Sequence, residues 1–136
     1  MKTLFRGFGL LCAITILVPV ASAQKAPQQV STPASGAVDA ASAAKLVKQP
    51  NVVVLDVRTP AEYATGHVRG AKNVDFRAPD FAQQIAQLDT TKTYMLYCAS
   101  GNRSGQASKL MKAKGFPKVV DAGAFKTLQA GGLKTE

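Results

Sequence analysis

The stretch "NVVVLDVR" (residues 51–58) constrains the fold more than any other. Its apolar residues are consecutive, most are β-branched, and Pro50 and Pro60 bound it. A strand with one wet face alternates apolar and polar residues. A run without alternation suits a strand covered on both sides, as in a parallel sheet. "TYMLYC" (93–98) repeats the pattern, and "AKNVDF" (71–76) and "KVVDAG" (118–123) are shorter versions. Helical segments lie between and around them. "VDAASAAKLVKQ" (38–49) has Asp39 placed as a cap, and "TPAEYATG" (59–66) has Thr59 as cap and Pro60 in the first turn. "APDFAQQIAQL" (78–88) sets Phe81, Ile85 and Leu88 at i, i+4 and i+7. "RSGQASKLMKAKG" (103–115) puts Ala107, Leu110 and Met111 on one face before Gly115, and "GAFKTLQAGG" (123–132) is a last helix or turn. Strands alternating with helices predict a three-layer α/β domain with a parallel sheet.

The remaining sequence is two short leaders. "MKTLFRG" is a basic start, "FGLLCAITILVPV" an apolar core and "ASA" (21–23) a small-residue cleavage signal, so residues 1–23 read as an export signal removed after Ala23. The apolar run is short for a membrane span and carries Pro19 near its end, so no anchor is expected after cleavage. Cys12 follows Leu11 well inside the apolar run, a poor setting for a lipidated cysteine. Residues 24–36, "QKAPQQVSTPASG", have little to bury and read as a flexible leader, leaving residues 37–136 as one domain.

Removal of the signal has a chemical consequence. Cys12 departs, and Cys98 is left as the one cysteine of an exported, periplasmic chain. A lone thiol in an oxidising compartment is buried, paired between chains or reactive. The formal charge falls from +9 to +7 as Lys2 and Arg6 leave. The basic residues are scattered, with one local cluster at "KLMKAKGFPK" and no interleaved aromatics, which argues against nucleic acid. A positive field still suits small anionic substrates.

Cys98 closes "TYMLYC" and precedes a helix, at the carboxyl end of a strand where α/β sheets bind ligands. Ala99, Ser100, Gly101 and Asn102 form a small polar turn before the helix starts near Arg103. Such a turn lets backbone N–H groups curl inward as an anion nest, and the helix start adds unpaired N–H groups. With the Arg103 charge, these favour thiolate over thiol, giving a nucleophile in a loop that also cradles the anion it attacks. A small core residue closing a strand is the competing reading of Cys98.

The sequence resembles the rhodanese-like family in three ordered segments. "LDVRTPAEYATGHVRGAKNV" (55–74) looks like its first signature, "CASGNRS" (98–104) like its C-x-x-G-x-R-S active loop, and "GFPKVVDAGAFKTL" (115–128) like its closing segment. The similarity runs from about residue 38 to 132, and the export signal adds likeness to the small periplasmic members of phage shock protein E type. It implies a sheet of about five strands with helices on both faces.

It also implies sulfur transfer. Cys98 would attack the sulfane sulfur of thiosulfate, carry it as a persulfide, and pass it to cyanide or a thiol. The amides of Ala99, Ser100, Gly101, Asn102 and Arg103 would hold the donor, with Arg103 closing the loop and Ser104 supporting it. No metal or organic cofactor is required, since the sulfur rides on the protein. A persulfide carrier serving a protein acceptor needs the same loop. Cysteine phosphatases of this fold use C-x5-R. Only four residues separate Cys98 from Arg103 here, which disfavours a phosphatase or arsenate reductase. Two features depart from the family pattern: Gly123-Ala124 replaces Gly-Gly, and Leu128 stands where tryptophan is common.

Other polar residues have two readings each. Asp56 and Arg58 end a strand beside the expected site, where they either orient loop donors and add positive potential or pair with each other or with the backbone. His67, within "GHVRGA", fits a turn-fixing role better than a Cys–His dyad, and Glu62 fits a helix surface or a turn bond. With one histidine, no clustered metal site is expected.

Overall fold

A computed structural model describes residues 36–136; the export signal and nearly all of the leader lie outside them. Four strands form one parallel sheet in the order β2-β1-β3-β4: β1 (Val52–Asp56), β2 (Lys72–Asn73), β3 (Thr93–Cys98) and β4 (Val119–Ala124). The central strands are covered on both faces, as the unalternating runs require. Residues 94–98 of β3 are all buried.

Helices α1 (Ala40–Leu46) and α5 (Phe125–Ala130) cover one face, with Ala43 and Leu128 packing on Val54, Met95 and Tyr97. Helices α3 (Phe81–Ala86) and α4 (Asn102–Ala113) cover the other. There Phe81, Ile85, Ala107 and Met111 meet Leu55, Val57, Leu96 and Cys98. The short α2 (Pro60–Ala64) follows β1. Strand alternation therefore sends Tyr97 and Cys98 to opposite faces.

The sheet has four strands among the described residues, against the five that the resemblance implies. The difference lies at the β4 edge. Val38 N–H donates to the Asp121 carbonyl at 2.9 Å, one rung of what would be a further strand. One residue later the Asp39 carboxylate accepts from Ser42 N–H at 2.9 Å and starts α1, so the extended path is too short to build a ladder.

Candidate active site

Strand β3 ends at Cys98, and α4 begins four residues later at Asn102. Between them Gly101 caps the helix with φ of 90°, a left-handed conformation that side chains resist. The turn also runs close to its neighbour: a Cβ on Gly101 would lie 3.4 Å from Gly123 Cα. Gly123 N–H in turn donates to Asp121 Oδ1 at 2.9 Å, so the end of β4 is a fixed shelf beneath the loop.

This conformation aims hydrogen-bond donors at the sulfur. Gly101 N–H donates to Cys98 Sγ at 3.0 Å. Burial pushes the thiol up. The N–H groups of Ser104, Ser100 and Gly101 outweigh it, holding Cys98 below its ordinary value. Ser104 lies in the first turn of α4, so it brings the helix start to bear on the sulfur, and its hydroxyl also donates to the Gly101 carbonyl at 3.1 Å. Cys98 itself has 0% exposure, at the floor of this loop rather than on the surface.

Of the residues singled out from sequence, Gly101 meets Cys98 in a hydrogen bond, and Ser100 and Ser104 bear on the thiol through their N–H groups. Ala99, Asn102 and Arg103 belong to the same turn but make no hydrogen bond to the sulfur. The Asn102 side chain instead accepts from Gln106 at 2.6 Å. Arg103, expected to bring a positive charge to the loop, does act on Cys98 but is itself paired. Its two terminal nitrogens donate to Glu62 Oε2 at 2.7 Å and Oε1 at 2.8 Å, so its charge is already met. The loop N–H groups, not the guanidinium, dominate the lowering of the thiol.

Asp56 and Arg58 take the structural one of their two readings. Arg58 Nη2 lies 2.6 Å from Asp56 Oδ2, Nε reaches both carboxylate oxygens at 3.0 Å, and the guanidinium lies 4.3 Å from the Phe125 ring centre and 5.6 Å from that of Tyr97. Tyr97 faces away from Cys98, so this pair braces the α1–α5 face, across the sheet from the thiol. His67 fixes a turn: Nδ1 is 3.1 Å from the Tyr63 carbonyl and the ring stacks on Tyr63. Among the described residues no group of three or more His, Cys, Asp or Glu is placed to hold a metal.

Glu62 is the residue whose place the sequence conceals. Its capping box with Thr59 is legible in "TPAE", where a cap is followed three residues later by a carboxylate. Its bond to Arg103, 41 residues away, leaves no local trace.

A parallel α/β domain whose one free thiol among the described residues ends a central strand, beside a turn that aims N–H at it, is a cysteine-loop domain. The particular family follows from comparison: a profile for the rhodanese-like domain matches residues 39–126, and the chain belongs to that family. The thiosulfate:glutathione sulfurtransferase of Saccharomyces cerevisiae is 40% identical over 78 residues, covering 49% of this chain and 56% of that protein. The thiosulfate sulfurtransferase PspE of Escherichia coli is 34% identical over 74 residues, covering 54% of this chain and 71% of the relative. Among solved structures, a rhodanese-related protein from Thermoplasma volcanium aligns with a TM-score of 0.65 at 27% identity, covering 74% of this chain and 96% of that one. The chain thus spans little more than half of the yeast relative's length.

Proposed function

We propose that this protein is a thiosulfate sulfurtransferase working through a persulfide on Cys98. The Cys98 thiolate attacks the outer sulfur of thiosulfate. A new S–S bond forms, the donor's S–S bond breaks, and sulfite leaves with the electron pair. Cyanide or an acceptor thiolate then attacks the outer sulfur of the persulfide, taking it as thiocyanate or a new persulfide and returning Cys98 as thiolate. Loop N–H groups offset the negative charge in both states.

The observation that carries this reading is the 3.0 Å donation from Gly101 N–H to Cys98 Sγ, in a turn whose other donors also lower the thiol. Names of the relatives and the four-residue spacing from Cys98 to Arg103 support the same chemistry. Full burial of Cys98 favours a slender donor, because the transferred sulfur has to enter the loop. The export signal read from residues 1–23 places the reaction in the periplasm as part of this proposal.

Intact mass after thiosulfate treatment tests it. The wild-type protein gains one sulfur atom, lost again on addition of cyanide, whereas Cys98→Ser gains none and forms no thiocyanate while keeping its fold by circular dichroism. Thiocyanate formation by Cys98→Ser at the wild-type rate would refute the assignment.

A further inference from the structure

The Arg103–Glu62 pair ties together the segments that follow two adjacent strands of the sheet. Glu62 belongs to α2, after β1, and Arg103 to the first turn of α4, after β3. Both carboxylate oxygens accept from the two terminal nitrogens of the guanidinium, at 2.7 and 2.8 Å. Such fork-to-fork pairing fixes orientation as well as distance. Glu62 is itself anchored. Its Oε2 accepts from Thr59 N–H at 3.0 Å and from the Thr59 hydroxyl at 2.9 Å, so the brace is rooted in the capping box of α2. Arg103 is largely covered, with 13% side-chain exposure against 34% for Glu62.

Two consequences bear on the loop. Arg103 immediately precedes Ser104, whose N–H acts on the sulfur and whose hydroxyl donates to the Gly101 carbonyl, so movement of one displaces the other through the backbone. The guanidinium charge is met chiefly by Glu62, with Cys98 and then Asp75 acting on it more weakly.

We infer that Glu62 is a positioning residue for sulfur transfer: by pinning Arg103 beside the Cys98 loop, it leaves the donor to be held by loop N–H groups and makes Arg103 a brace. The inference rests on Cys98 being the sulfur carrier, and its test separates the two claims.

Glu62→Gln, which keeps an oxygen for the Thr59 cap, Arg103→Met, Arg103→Lys and the Glu62→Gln/Arg103→Met double variant are compared in two assays. In thiosulfate-to-cyanide transfer, a brace predicts that each single variant loses on the order of tenfold in kcat while KM for thiosulfate stays within about twofold. The double variant is then no worse than either single, because both remove one interaction. Arg103→Lys keeps the charge but not the fork, and falls with the others.

The second assay is the pH profile of Cys98 alkylation by iodoacetamide, which requires no turnover. For Glu62→Gln the midpoint moves to higher pH, as loosened N–H groups lose their aim. A simple charge effect has the opposite sign, because removing a carboxylate beside an intact loop favours thiolate. A lower midpoint for Glu62→Gln, or a KM raised about tenfold in Arg103→Met and restored in Arg103→Lys, would overturn the brace. Should the wild-type protein take up no sulfur from thiosulfate, the carrier reading fails, and the alkylation midpoints still decide the role of Glu62.

Discussion

Two arginines stand near the carboxyl end of the sheet, and both are paired, yet the pairs do different work. Arg58 meets Asp56 two residues away, with exposures of 5% and 0%. Arg103 meets Glu62 across 41 residues, at the rim of the thiol loop. The first pair is local and dry. Its charges have left water, and each is stabilised mainly by the other, by the Gly66 carbonyl 2.7 Å from Arg58 and by the Phe125 ring. The second pair forms only once the segments after β1 and β3 are both in place, and it remains partly wet. Loss of the first should therefore register as lost stability, and loss of the second mainly as lost chemistry.

Asp56→Ala is the largest expected break in that contrast. It leaves the Arg58 guanidinium buried without its counter-charge, a loss of about 3–5 kcal/mol by precedent for buried pairs broken on one side. Urea unfolding measures it. Cys98 in the fraction that stays folded should alkylate with the wild-type pH profile, because the pair lies on the other face of the sheet. A loss below about 1 kcal/mol would show that water reaches Arg58 and that the pair is of the surface kind.

Gly101→Ala tests the loop that the Arg103 pair flanks, with an intermediate effect. The new methyl group meets Gly123 Cα at 3.4 Å, and a φ of 90° strains any residue that has a Cβ. About 1–2 kcal/mol of stability should go, read as a lower urea midpoint. Sulfur uptake from thiosulfate should slow more than that figure suggests, because Gly101 N–H donates directly to the sulfur. Wild-type uptake with lowered stability would mean that the loop tolerates misalignment, and the argument for donor aim would fail.

What was legible in the sequence follows the same division between local and distant. Unalternating runs at 51–58 and 93–98 announced buried parallel strands, because burial on both faces erases the period of two. The setting of Cys98 was legible because strand, glycine turn and helix start are contiguous. Asp56 and Arg58 were visible, but their direction was not: whether they faced the thiol depended on which face Cys98 itself took. The Glu62–Arg103 bond was beyond reach, since pairing over 41 residues depends on how two loops are placed by the sheet. The missing fifth strand depended on a single rung at Val38, where the cap of α1 intervenes.

The smallest effect separates the pairs by acid. The Arg103 guanidinium holds Glu62 well below its ordinary value of 4.5; burial opposes it, and the Thr59 donors add to it. A carboxylate whose pKa is lower in the folded than in the unfolded chain stabilises the fold fully above the unfolded value. That contribution is lost as pH falls through the folded value. The stability gap between wild type and Glu62→Gln should therefore be flat above about pH 5, at about 1 kcal/mol for a partly exposed pair, and narrow steadily below 4.5. Added salt should narrow it at neutral pH as well, whereas the Asp56→Ala gap, between groups shielded from ions, should hold. Chemical unfolding at several pH values and two salt concentrations measures both. A Glu62→Gln gap that ignores salt and stays constant into acid would show that the carboxylate acts as an uncharged helix cap, and the brace would then have to be sought in Arg103 alone.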